Sequence, residues 1–188
     1  MSNAIDRGIF TIPDVLSAAE CEEYIAWSES LGYEAAPVSL AAGSVLRPDL
    51  RNNARVMVDA PARAAEIWSR VVADIPAVLD RRRAVGLNER FRFYRYGPGQ
   101  MFAPHTDGCH RRSNGDESLF TFMIYLNAGS VGGATKFENA SVTPQAGLAL
   151  IFDHYLLHEG TRVIEGQKYV LRSDVMYGPP PADRGADG

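Results

Sequence analysis

Phe120-Thr-Phe-Met-Ile-Tyr-Leu-Asn127 is the stretch on which the fold turns. Phe120, Phe122, Ile124 and Leu126 alternate with Thr121, Met123, Tyr125 and Asn127. Successive side chains of a strand point to opposite faces, so this pattern predicts a strand with one face on a core. Similar segments recur on either side. Phe91-Arg-Phe-Tyr-Arg-Tyr96 is aromatic-rich and stops at Gly97-Pro98-Gly99. Ala134–Phe137, Leu148–Phe152 and Lys168–Tyr177 follow, with turns at Gly132-Gly133, Pro144–Gly147 and Glu165-Gly166. Short strands punctuated in this way predict a sandwich or barrel.

Helical signals lie earlier. Ser17-Ala-Ala-Glu20 fits a capping box and predicts a helix over 18–31, with Cys21, Tyr24, Ile25 and Trp27 on its buried side. Pro61 opens a second, with Ile67, Val71, Val72 and Ile75 at helical spacing. Pro76 is expected to kink or end it, the remainder running on to Asp80, and Arg81-Arg82-Arg83 reads as a solvated run at a helix C-terminus. Gly32–Leu50 reads as a long loop and Arg55–Val58 as a short strand. Trp27 and Trp68 are expected to pack against the core. The expected fold class is mainly β with flanking helices (α+β), in a single domain over 1–177. Within it, 1–86 is helical support and 87–177 the core, while 178–188 reads as a disordered tail.

Composition sets the outer limits. The chain has 188 residues, 46% hydrophobic and 22% charged, which is the make-up of a folded globular protein. A formal charge of −4 and the lack of a basic stripe disfavour nucleic acid as a partner. No apolar run approaches membrane-spanning length, so no membrane partner is expected. Met1–Asp6 lacks the pattern of a secretory signal, and two cysteines make no disulfide framework. A cytoplasmic location is therefore expected.

The chemistry centres on the histidines, of which there are four. In an extended His105-Thr-Asp107, both side chains face the same way and can hold one ion. A third ligand from another strand would complete a two-histidine, one-carboxylate face with open positions, which suits non-haem Fe(II). Alone the motif is weak, since His105 capping a turn and Asp107 opening one with Gly108 explains it better. The last strand adds weight. Lys168, Val170, Arg172 and Asp174 share one of its faces, and a cation inside a β-fold is costly unless it meets an anion. Asp174 accounts for one cation and not for both. A dicarboxylate co-substrate would supply the missing anion: a 2-oxo acid end on the iron, and the far carboxylate on Lys168 or Arg172. Tyr125 is placed to add a phenol donor.

Taken in order, Phe91–Gly108, Phe120–Asn127, Gly132–Phe137 and His158–Tyr177 resemble the prolyl 4-hydroxylase-like 2-oxoglutarate, Fe(II)-dependent dioxygenases over residues 88–177. The resemblance implies a double-stranded β-helix, or jelly roll, with Fe(II) on His105, Asp107 and His158. His154 is the alternative to the last of these. It implies that Lys168 binds the far carboxylate of 2-oxoglutarate with Tyr125 assisting, and that Tyr96 borders the co-substrate. Arg172 stands beside Lys168 as a second candidate, because other branches use an arginine further along the last strand. Fe(II), 2-oxoglutarate and O2 are the implied cofactors, with ascorbate a candidate reductant. The implied reaction hydroxylates an unactivated C–H bond and yields succinate and CO2. The Asp107 carboxylate points away from halogenation. The substrate would be a prolyl residue of a peptide or protein, a free amino acid or a small metabolite. Arg51, Asn53 and Arg55 match a substrate-covering segment, and Arg111, in the polar stretch Cys109–Glu117, is a further candidate contact. His110 is expected to have no special role. The competing readings are a cupin-type jelly-roll metalloenzyme without 2-oxoglutarate, a non-catalytic binding module on the same fold, and a nucleic-acid dealkylase.

Overall fold

The computed structural model describes residues 1–40 and 43–181, so most of the expected tail lies outside the described residues. The chain opens with a hairpin, β1 (Asn3–Asp6) and β2 (Ile9–Ile12), where only helical support was expected. Helix α1 (Ala18–Leu31) follows. Its cap is reciprocal: Ser17 Oγ accepts the Glu20 N–H, and the Glu20 carboxylate accepts the Ser17 N–H at 2.8 Å. The expected loop carries three short strands, β3 (Glu34–Ala35), β4 (Val38–Leu40) and β5 (Gly43–Val45), before β6 (Ala54–Asp59).

Helix α2 (Pro61–Val71) starts at its proline. It does not reach Asp80. A single 3-10 turn, Val72–Asp74, ends it, and Ile75 is extended, as the residue before a proline is pushed to be. The chain then turns through Asp80 and Arg81, both at positive φ, between β7 (Val78–Leu79) and β8 (Arg82–Leu87). The arginine run is therefore a hairpin and not a helix end, and Arg82 pairs with Glu117 at 3.1 Å.

The remaining strands are β9 (Arg90–Tyr96), β10 (Phe102–His105), β11 (Glu117–Tyr125), β12 (Val131–Gly132), β13 (Thr135–Phe137) and β14 (Ser141–Val142). After them come β15 (Ala149–Asp153), β16 (His158–Gly160), β17 (Val163–Glu165) and β18 (Lys168–Tyr177). The large sheet runs β1-β2-β15-β11-β18-β9-β6-β3, with β8 also on β18 and β7 on β8. The smaller sheet is β10-β16-β13-β14.

The alternation of the opening stretch becomes two cores. Phe120, Phe122, Ile124 and Leu126 pack with Tyr24, Ile67 and Val71 under the helices. Met123 and Tyr125 face the other way and pack with Phe137, Leu150 and Phe152 of β13 and β15. The last strand divides similarly: Leu171, Val175 and Tyr177 go to the helical side, and Val170 to the other. The side of β11 and β18 away from the helices is where the chemistry lies.

Candidate active site

His105 ends β10, His158 opens β16, and the two are register partners across that ladder. Asp107 lies past the strand end, not within a strand as its spacing suggested. Its own N–H donates to the His154 carbonyl at 2.9 Å, and Thr121 Oγ1 donates to its carboxylate at 2.5 Å. One ligand atom from each of His105, Asp107 and His158 lies within 4.8 Å of the others. His105 Nε2 is 3.8 Å from Asp107 Oδ1, and His158 Nε2 is 3.7 Å from Oδ2.

Each ring is set by its other nitrogen. His105 Nδ1 is 2.8 Å from the Ala103 carbonyl and His158 Nδ1 is 2.9 Å from that of Leu156. A carbonyl only accepts, so Nδ1 holds the proton and Nε2 turns its lone pair to the common point. Burial, with His158 adding to it, holds His105 down to about 4, and burial lowers His158 too. Both are neutral at neutral pH, the form that a metal needs. Burial works against the Asp107 carboxylate, but the Arg172 guanidinium 2.9 Å away and the neighbouring groups, the Thr121 hydroxyl among them, together outweigh it and hold the carboxyl well below the usual range. Two neutral imidazoles and one ionised carboxylate fit a divalent iron.

Behind the triad is an inner cavity bordered by Tyr96, Met123, Thr135, Lys168 and Arg172. Lys168 is 3% exposed, with Nζ 5.2 Å from the ring centre of Tyr96 and 5.4 Å from that of Tyr125. It donates to the Gly133 carbonyl at 2.5 Å, and among the described residues it has no carboxylate partner. Burial pushes its ammonium down to about 7. Gly133, at φ +74°, makes room: a Cβ there would stand 3.2 Å from Lys168 Cδ. Arg172 is different. It is paired with Asp107 at 2.9 Å and with Asp174 at 3.4 Å. Tyr125 does not offer its phenol to the cavity. Its O–H donates to Thr135 Oγ1 at 2.7 Å, and Thr135 is the residue that lines the space.

In front of the triad an outer cleft of about 500 Å³ shares His105, Asp107 and Arg172 with the inner cavity. Arg51 and Arg55 line it, as does Arg92. Asn53 is buried behind and accepts from Arg51 Nε at 2.7 Å. The Arg51 guanidinium lies over the rings of Tyr94 and Phe102, 4.5 and 4.3 Å from their centres, and Phe102 stacks on His105 at 3.5 Å. Arg111 is not part of this cleft: it is exposed and paired with Glu117 at 3.1 Å. His154 is not brought to the triad. Its Nδ1 donates to Thr121, 2.9 Å away, and its Nε2 accepts from Ser118 Oγ at 2.8 Å. It thereby fixes the hydroxyl that holds Asp107.

Thr121, Thr135, Tyr94 and Phe102 escaped the sequence reading. Thr121 carried a signal, since it shares the Met123 and Tyr125 face of β11. Phe102 carried none, because its stacking depends on a ladder closed from another strand.

Residues 91–173 match the family model described as the 2OG-Fe(II) oxygenase superfamily. No curated protein matches the chain in sequence. Among solved structures it is similar to the viral collagen prolyl hydroxylase of Paramecium Bursaria Chlorella virus-1 in its 2OG complex. The TM-score is 0.63 at 22% identity over 90% of this chain and 96% of that one. A Pseudomonas putida prolyl-4-hydroxylase gives 0.62 at 16% identity, with 92% of each chain covered. A Trichoplax adhaerens prolyl hydroxylase, solved with a hypoxia inducible factor oxygen degradation domain peptide fragment, gives 0.66 at 17% identity over 89% and 83%. These likenesses show the fold, a double-stranded β-helix.

Proposed function

We propose that the chain, which matches the 2OG-Fe(II) oxygenase family model over residues 91–173, is such an oxygenase and hydroxylates an unactivated C–H bond of a substrate held in the outer cleft. The observation that carries this reading is a His-Asp-His donor set backed by a buried lysine with no anion of its own. His105, Asp107 and His158 would hold the iron. When bound, the iron with 2-oxoglutarate and O2 supplies the oxidising power for inserting one oxygen atom, and succinate and CO2 leave as co-products.

The chain's own part is positioning. Lys168 takes the far carboxylate of 2-oxoglutarate, since a buried ammonium without an anion gains most from one. Arg172 stays with Asp107 and Asp174, keeping Asp107 ionised. Tyr96 and Thr135 shape the space between Lys168 and the triad, and Phe102 shields one face of His105 from water. A prolyl peptide is the first substrate to try, as the Trichoplax neighbour was solved with a peptide, followed by free amino acids and small metabolites. The free thiols of Cys21 and Cys109 suit the reducing cytosol that we propose as its location.

The test is succinate formation from 2-oxoglutarate with Fe(II) and O2. Wild type should turn over and His105→Ala should fall to background, while anaerobic calorimetry should show Fe(II) and 2-oxoglutarate binding together. Wild-type protein that fails to bind the pair would overturn the reading.

A further inference from the structure

Four arginines, Arg51, Arg55, Arg92 and Arg172, face the outer cleft, and the only carboxylate among its lining residues is Asp107. Arg172 and Arg92 are neutralised from behind by Asp174, at 3.4 and 3.1 Å, and Arg172 also by Asp107. Arg51 and Arg55 have no carboxylate partner among the described residues. Arg51 is 5% exposed, and its Nη2 is buried with no hydrogen-bond partner. An unpartnered guanidinium nitrogen at such depth is costly unless a ligand completes it.

The geometry restricts that ligand. The Arg51 guanidinium carbon lies over the rings of both Tyr94 and Phe102, and Asn53 occupies its Nε. The donors left for a ligand are the terminal nitrogens. A planar carboxylate fits that slot. Through Phe102, which stacks on His105, the slot is built directly against the triad.

Resting on the oxygenase reading, we propose that Arg51, with Arg55 beside it, is the specificity anchor for a carboxylate on the substrate itself, distinct from the 2-oxoglutarate held at Lys168. Among the described residues lining the cleft no carboxylate is free to meet an ammonium, so acids whose amine is acylated are the ligands that suit it best.

The experiment uses anaerobic protein loaded with Fe(II) and 2-oxoglutarate. The probes are the N-acetyl amino acids, each as the free acid and as the primary amide, with binding read by ligand-observed NMR. At least one acid should bind about tenfold or more tighter than its amide, the difference expected for a charge-assisted pair. Arg51→Gln should abolish that preference without changing 2-oxoglutarate affinity, and Arg51→Lys should restore part of it. Arg55→Gln, at a half-buried position that leaves the Tyr94–Arg51–Phe102 stack intact, should weaken it by several-fold and guards against misfolding of the Arg51 variants. Amides that bind as well as acids, or no acid binding at all, would overturn the proposal. So would an Arg51→Gln protein whose loss falls on 2-oxoglutarate. If Fe(II) and 2-oxoglutarate do not bind together, the oxygenase reading itself fails, and this shows before any probe is added.

Discussion

Lys168 and Arg172 share one face of β18, yet their surroundings make them different reagents. Arg172 arrives with two carboxylates at 2.9 and 3.4 Å, whereas Lys168 has a carbonyl and two aromatic rings. Position along the last strand could not separate them, because the partners come from Asp107 beyond β10 and from the Gly132-Gly133 turn. The difference has a pH signature. The buried Lys168 ammonium is pushed down to about 7, so above that pH the empty pocket holds a neutral amine. Because its folded value is depressed, the unfolded chain binds more protons between about 7 and the ordinary 10.5, and the empty protein gains stability as pH rises through that window. A dianion restores the charge. Binding of 2-oxoglutarate at about pH 8.5 should therefore take up close to one proton, and affinity should fall by up to about tenfold per pH unit above neutrality. Calorimetry in buffers of different ionisation heat measures this. Lys168→Met should lose about 10- to 100-fold in affinity and show no uptake. Undiminished uptake in that variant would move the carboxylate elsewhere.

Elements were legible wherever local chemistry and tertiary demand agree. Ser17 and Glu20 cap α1, and β18 keeps its expected bounds because its alternation is satisfied by a core on each side. They were illegible where a partner strand supplies the reason. The β1–β2 hairpin is a strand pair because Ile9–Ile12 adds onto β15, and Arg82–Leu87 is a strand because β18 receives it. Among the site residues, the His105-x-Asp107 spacing was readable, whereas the hydroxyls of Thr121 and Thr135 act only through other elements. One turn tests such a dependence. Gly147 has φ +79°, and a Cβ on it would stand 2.0 Å from the Leu16 carbonyl oxygen, where the β14–β15 turn meets the start of α1. Gly129 has φ +87° and no atom within 4 Å of the same position. Gly129→Ala should cost about 1–2 kcal/mol, the left-handed penalty alone. Gly147→Ala should cost about 3 kcal/mol or more, since backbone must also shift. Urea midpoints compare the two, and equal costs would show that the contact with Leu16 yields freely.

At the scale of the whole molecule, the triad is a joint between the two sheets. His105 and His158 belong to the small sheet, while the groups that hold Asp107 come from the large one: Thr121 on β11 and Arg172 on β18. Before a metal arrives, Arg172 is the main cation answering Asp107. Once it arrives, the ion and Arg172 share that carboxylate. A divalent ion at about 100 times its Kd should stabilise the protein by about 2.7 kcal/mol. For a chain of this size that raises Tm by roughly 5–10 °C. Arg172→Met leaves Asp107 and Asp174 buried with less compensation, so the metal-free protein should lose about 3–5 kcal/mol. The metal now relieves a charge that Arg172 had been neutralising. Its stabilising effect at the same free metal concentration should therefore exceed that in the wild type, and part of the lost Tm should return on adding Fe(II) under argon or Mn(II) in air. Melting curves of both proteins, with and without the ion, form the cycle that measures this coupling. An equal metal-induced rise in both would mean that the ion and Arg172 do not compete for Asp107.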